Sequence, residues 1–236
     1  NKNTVMTKNT ASFENKIVAD RDSGFANMSR RKFLNYAGAT SGLVLLAACS
    51  KNDSNSGLDL GSGDTGILNY AYALEQLEAA FYIQVAKSFY TGISDDEKAL
   101  LTDIRDHEVA HREFFKAALG GSAISALSVD FSSVNFADRA SVLGTAKAFE
   151  DLGVSAYNGA GPLFQSAAYL TLAGKIVSVE ARHAALIRDR LSNGTFVGSD
   201  VVDMTNGLEK SRTPAQVLSI AGTYIKTQIN ASNLPS

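Results

Sequence analysis

Residues 106–115 read DHEVAHREFF and hold two of the three histidines of this 236-residue chain together with Glu108 and Glu113. Glu108 and His111 are three residues apart. On a helix that spacing puts both side chains on one face, about 5–6 Å apart at Cβ, close enough to converge on one metal ion. The same pair recurs downstream: HEVAHREF (107–114) aligns with VEARHAAL (179–186), matching Glu108-x-x-His111 with Glu180-x-x-His183. A single Glu-x-x-His on a helix is an ordinary solvated surface pattern, whereas two in matched contexts point to one shared site.

Each copy is preceded by a further matched segment. ALEQLEAAFY (73–82) and AFEDLGVSAY (148–157) share Glu-x-Leu-x4-Tyr, which pairs Glu75 with Glu150 and Tyr82 with Tyr157. The chain is thus an internal duplication of a helix carrying Glu followed by a helix carrying Glu-x-x-His. Four carboxylates and two imidazoles from four helices form the ligand pattern of dinuclear carboxylate bundles. Four ionised carboxylates in a dry core are prohibitively costly unless cations offset them. Two divalent ions do so, and oxygen with imidazole donors suits iron or manganese, with zinc also accommodated. A metal-free adaptor would instead leave six polar groups without partners. Glu78 shares the inward stripe of Glu75 but has Gly153 as its counterpart, so it is either an extra ligand or supporting acid at the site, or an inter-helix or surface charge. His107 is rotated about 100° from the ligand face and reads as a surface or supporting group. Arg105, Arg112 and Arg182 are expected to pair with nearby carboxylates.

The elements that must position these residues are helical. Residues 65–90 are apolar-rich, free of proline, and place 68, 71, 75, 78, 82, 85 and 89 on one stripe. Ser94 with Glu97 fits a capping box opening a second helix over 95–119, ended by Gly120-Gly121. Its inward stripe is Leu101, Ile104, Glu108, His111 and Phe115. Residues 120–137 have no helical period and read as a long connection. Asp138 or Asn135 opens a third helix to about 158. NGAGP (158–162) is a tight break with Pro162 near the start of a fourth helix, which runs to about 192 with a stop at Gly194. Thr213-Pro214 opens a shorter fifth helix to about 229. Short, long and short connections predict an all-α four-helix bundle of two antiparallel pairs joined by one crossover, plus a C-terminal helix.

Helices one to four resemble the ferritin-like superfamily. More narrowly, LEQLEAAFY, RDHEVAHREFF and RTPAQVLSIAGTYI (212–225) resemble segments of the bacterial ferritin-like domain family related to plant desiccation-related proteins. The resemblance implies a ferritin-like bundle over 65–192 and a C-terminal loop and helix over 193–236. It implies Glu75, Glu108, His111, Glu150, Glu180 and His183 as ligands of two ions, with Glu108 and Glu180 as bridges. Tyr82 and Tyr157 would orient carboxylates through their hydroxyls, or else be ordinary core aromatics. Dioxygen or peroxide is the expected small-molecule partner, with ferrous oxidation, peroxide dismutation of the manganese-catalase type, or oxidation of an organic substrate as the candidate reactions. The alternative is a non-catalytic metal protein with a stress-protective role at the cell envelope.

The N-terminal part carries an address. SRRKFL (29–34) precedes the apolar run YAGATSGLVLLAAC, which ends at Cys49, the one cysteine of the chain. The run is shorter than the roughly 20 residues that span a bilayer. Arg30-Arg31 resembles a twin-arginine export signal, with Asn35 departing from the lysine common there, and LAAC resembles a bacterial lipobox. Residues 29–49 are expected to direct export and lipidation at Cys49 on the periplasmic side of a bacterial membrane, or else export with plain cleavage into the periplasm; the remaining alternative is a buried helix with Cys49 as a small core hydrophobe. Residues 1–28 are polar and irregular and are expected to be a disordered extension or to carry a mis-assigned start, with Met28 as the true start and residues 1–27 an upstream translation artefact or extension. Residues 50–64, rich in Ser, Gly, Asn and Asp, are expected to form a flexible tether. Of the chain's charges, 7 of 22 Lys+Arg and 3 of 24 Asp+Glu lie in residues 1–49, so the remainder has a net charge of −6. No basic surface for nucleic acid is indicated.

Overall fold

A computed structural model describes residues 57–235. The extension at 1–28, the signal at 29–49 with Cys49, and residues 50–56 of the expected tether lie outside the described residues. Four long helices form the body: α1 (Gly63–Lys87), α2 (Asp95–Leu119), α3 (Arg139–Ala160) and α4 (Ala167–Leu191). A shorter α5 spans Pro214–Ala221. α1 lies along α2 and α3 along α4, and the two pairs meet where α1 faces α3. This is the expected bundle with one crossover. Among the described residues no helix is long and apolar enough to cross a membrane.

Local signals account for most helix ends. Ser94 accepts the Glu97 amide at 3.2 Å, and Asp138 accepts the Ser141 amide at 2.7 Å. The Glu97 carboxylate does not complete a capping box; it receives Arg139 and the Tyr90 hydroxyl instead. The fourth helix begins at Ala167 rather than near 162. Pro162 sits in a 3-10 turn (Gly161–Leu163), and Ser166 becomes the cap, held by Asp64 at the start of α1, which accepts the Gln165 and Ser166 amides at 2.7 and 2.9 Å.

The crossover is laid along α1 and tied there. Asn69 donates to the carbonyls of Leu60 and Ser122 at 3.0 and 2.9 Å and accepts the Ile124 amide, while Gln76 accepts the Leu127 amide at 2.8 Å. This coverage explains why α1 is buried on nearly all sides from Gly66 to Ala79 rather than along one stripe. Phe81 of α1 and Phe149 of α3 meet edge to face at 5.1 Å, with Phe131 of the crossover against both.

The fifth helix stops at Ala221, not near 229. Past Gly222 the chain alternates β-branched residues, forms a bridge between Ile225 and Val129, and becomes a strand, Ile229–Asn230. That strand pairs in parallel with Leu58–Asp59, which lies inside the stretch expected to be a tether. Leu60 is fully buried. The alternation is itself a strand signal, which this pairing satisfies. A hairpin of Val202–Asp203 with Leu208–Glu209 occupies the loop before α5.

Candidate metal centre

Each of the four long helices turns acid into the middle of the bundle. Glu75 from α1, Glu108 from α2, Glu150 from α3 and Glu180 from α4 are all completely buried. The His111 side chain is 13% exposed and that of His183 5%. The residues assemble into two overlapping sets, Glu75–Glu108–His111–Glu180 and Glu108–Glu150–Glu180–His183. Within each set the donor atoms lie within 4.8 Å of one another.

The two sets mirror each other. His111 Nδ1 lies 2.8 Å from Glu180 Oε1, 3.5 Å from Glu75 Oε2 and 3.7 Å from Glu108 Oε2. His183 Nδ1 lies 2.9 Å from Glu108 Oε1, 3.4 Å from Glu150 Oε2 and 3.9 Å from Glu180 Oε2. Glu108 and Glu180 thus offer one oxygen to each set, while Glu75 and Glu150 belong to one set each. None of these nitrogens and oxygens is satisfied by an aligned hydrogen bond, despite their closeness. Buried polar atoms without partners are rare and costly. A cluster of them aimed at common points has the donor chemistry of a metal-binding site.

The remaining oxygens of the two unshared carboxylates are occupied. Tyr82 of α1 donates to Glu150 Oε1 at 2.5 Å, and Tyr157 of α3 donates to Glu75 Oε1. Each tyrosine of the repeat serves the glutamate of the other copy and leaves that glutamate one free oxygen, Oε2.

Burial pushes the Glu75 carboxyl up to about 7 and also raises Glu150. Burial, reinforced by the neighbouring carboxylates, takes Glu180 and Glu78 well above the usual range. For Glu108 burial acts upward too, but His111 and His183 outweigh it and draw the group down to about 2. Burial alone would depress the imidazoles; the carboxylates around them prevail and lift His111 to about 12 and His183 to about 10. Without a cation the cluster therefore keeps protons among its members. Each fully charged buried carboxylate would cost several kcal/mol, and four would exceed the roughly 5–15 kcal/mol that holds a domain folded.

Glu78 is buried, and its Oε2 has no hydrogen-bond partner. Its carboxylate occupies the room left by its counterpart, because a Cβ on Gly153 would stand 3.0 Å from Glu78 Oε1 and 3.8 Å from Glu180 Oε2. Glu78 is thus an added acid against the cluster, not an inter-helix surface charge. His107 is exposed, yet its Nδ1 lies 2.9 Å from His183 Nε2. That contact was not legible from helical rotation, which says nothing of what α4 presents opposite. Arg105 pairs with Asp106 at 2.7 Å and Arg112 with Glu113 at 2.8 Å, but Arg182 donates to the Ser178 carbonyl and hydroxyl rather than to a carboxylate.

A comparison of the chain with curated proteins yields no match. Residues 63–193, which span α1 to the end of α4, match the family model described as the ferritin-like domain. That stretch is more than half of the chain and contains every residue of the two mirrored sets, so the chain belongs to the ferritin-like domain family.

Proposed function

We propose that Glu75, Glu108, His111, Glu150, Glu180 and His183 hold two divalent cations, iron or manganese, and that the loaded protein reacts with dioxygen or peroxide. The observation that carries this reading is the mirrored pair of unsatisfied donor sets, in which Glu108 and Glu180 each offer one oxygen to either side. Bound there, two such ions would supply a pair of redox-active centres able to exchange electrons with a small oxidant. The chain's own part is to neutralise the cation charge with carboxylates, to fix Glu150 and Glu75 through Tyr82 and Tyr157, and to exclude bulk water by burial. Complete burial of the four glutamates favours a reactant the size of dioxygen or peroxide over a large organic substrate.

The experiment is elemental analysis of the purified protein, followed by measurement of dioxygen and peroxide consumption with Glu108→Ala as control. Two equivalents of metal and turnover abolished in the variant are expected. Metal binding without turnover would favour the second reading, a non-catalytic protective protein. The quoted segments that resemble desiccation-related proteins support the same alternative.

Export and a lipid anchor at Cys49 complete the reading, supported by Arg30-Arg31, the apolar run and LAAC. Twin-arginine export carries folded proteins, which suits a metal inserted before translocation. Loss of membrane association in Cys49→Ala tests the anchor; an unchanged distribution would refute it.

A further inference from the structure

His107 is the one of the chain's three histidines that belongs to neither donor set. It stands exposed on α2 and reaches across to α4, where its Nδ1 lies 2.9 Å from Nε2 of the buried His183. The two rings are nearly parallel, at 10°, with centroids 5.1 Å apart. With the nearest nitrogens so close, that separation sets the rings edge to edge in one plane, as an N–H···N hydrogen bond requires.

The direction of this bond follows from the other side of the ring. His183 Nδ1 faces Glu108 Oε1 and Glu150 Oε2 at 2.9 and 3.4 Å. When Nδ1 gives its lone pair to a cation, the ring's remaining proton is on Nε2, and Nε2–H donates to His107 Nδ1. A ligand imidazole whose distal N–H is held in this way has its tautomer and orientation set before the cation arrives.

The duplication does not repeat the device. Aligning the two Glu-x-x-His segments places Val179 where His107 stands, and a valine side chain has no hydrogen-bonding atom. His111 is therefore not served from the equivalent position of α4.

We propose that His107 is a positioning residue that holds His183 as the Nε2–H tautomer, so that the cation position built with Glu150 and His183 binds more tightly than the one built with Glu75 and His111. The inference rests on the dinuclear reading above and adds an inequality between the two positions.

The test is calorimetric titration of the metal-free full chain with manganese(II) alone. The wild type should take up two cations in two resolved steps. His107→Ala should weaken the tighter step by about 10–100-fold and leave the weaker one in place. His107→Asn, whose Oδ1 stands where Nδ1 was, should restore most of the loss. A second readout is NMR of the zinc(II)-loaded protein, where only three imidazoles contribute. The His183 Nε2–H should exchange slowly in the wild type and in His107→Asn, and rapidly in His107→Ala. Two steps that His107→Ala leaves untouched or weakens equally, or a slowly exchanging proton retained in that variant, would overturn the inference alone. A wild type that binds fewer than two cations would overturn the dinuclear reading and this inference with it.

Discussion

Tyr82 on α1 donates its hydroxyl to Glu150 on α3, and Tyr157 on α3 returns the relation to Glu75 on α1. The two copies of the repeat are interlocked through the groups they duplicate. Tyr82→Phe leaves Glu150 Oε1 as a buried acceptor with no donor, a loss of about 1–3 kcal/mol. Urea unfolding of the metal-free protein should show it, and Tyr157→Phe should behave alike. Wild-type stability in both variants would mean that these bonds contribute nothing net.

Removing a shared carboxylate should differ in kind from removing an unshared one. Glu108 offers an oxygen to both donor sets and Glu75 to one. Glu108→Ala is expected to abolish binding of both cations, and Glu75→Ala to leave one, as read by metal content after dialysis. Equal loss in the two variants would contradict the assignment of Glu108 as the bridge.

The metal-free protein should lose stability as pH rises. A group whose folded pKa is raised contributes stability that is full below its unfolded value and disappears through its folded value. Burial lifts Glu75 from 4.5 to about 7, so stability should fall across that window. His183, lifted from 6.5 to about 10 by its carboxylates against the effect of burial, extends the fall upward. Glu108 acts oppositely, but its contribution is complete above 4.5 because its folded value is about 2. Added cation should reverse the slope, since it competes with protons for the same atoms. Melting temperatures measured across this range with and without manganese(II) decide it; parallel slopes would refute it.

Gly153 should be replaceable only when Glu78 is gone. A Cβ there meets Glu78 Oε1 at 3.0 Å. Gly153→Ala is expected to cost about 1–3 kcal/mol through crowding. In a Glu78→Ala background the same change should stabilise by about 0.5–1 kcal/mol, the ordinary advantage of alanine in a helix. The sign reversal is read from a double-mutant cycle of unfolding free energies. Additive effects would show that the two positions do not share space.

The bundle and the inward faces that carry the six clustered side chains were legible in the sequence because both rest on local periodicity. Three-residue spacing puts Glu108 with His111, and Glu180 with His183, on one helix face whatever lies opposite. The duplication then shows that the two faces belong together. The caps at Ser94 and Asp138 were legible for the same reason, since a cap is made within one turn. The stop of α5 at Ala221 was legible only in part: Gly222 and the alternating β-branched residues after it signal a break, but the partner of Ile229–Asn230, Leu58–Asp59, comes from the far end of the described chain.

What the sequence determined by itself is which side chains each helix presents inward, since helical rotation is a property of the chain alone. Only the tertiary structure decided which side chains from different helices touch: Tyr82 with Glu150 rather than with Glu75 of its own helix, Glu78 in the space vacated at Gly153, and His107 with His183. Those contacts depend on the register and separation of neighbouring helices. Register and separation come from packing summed over the whole bundle, which includes the crossover bound to Asn69 and Gln76.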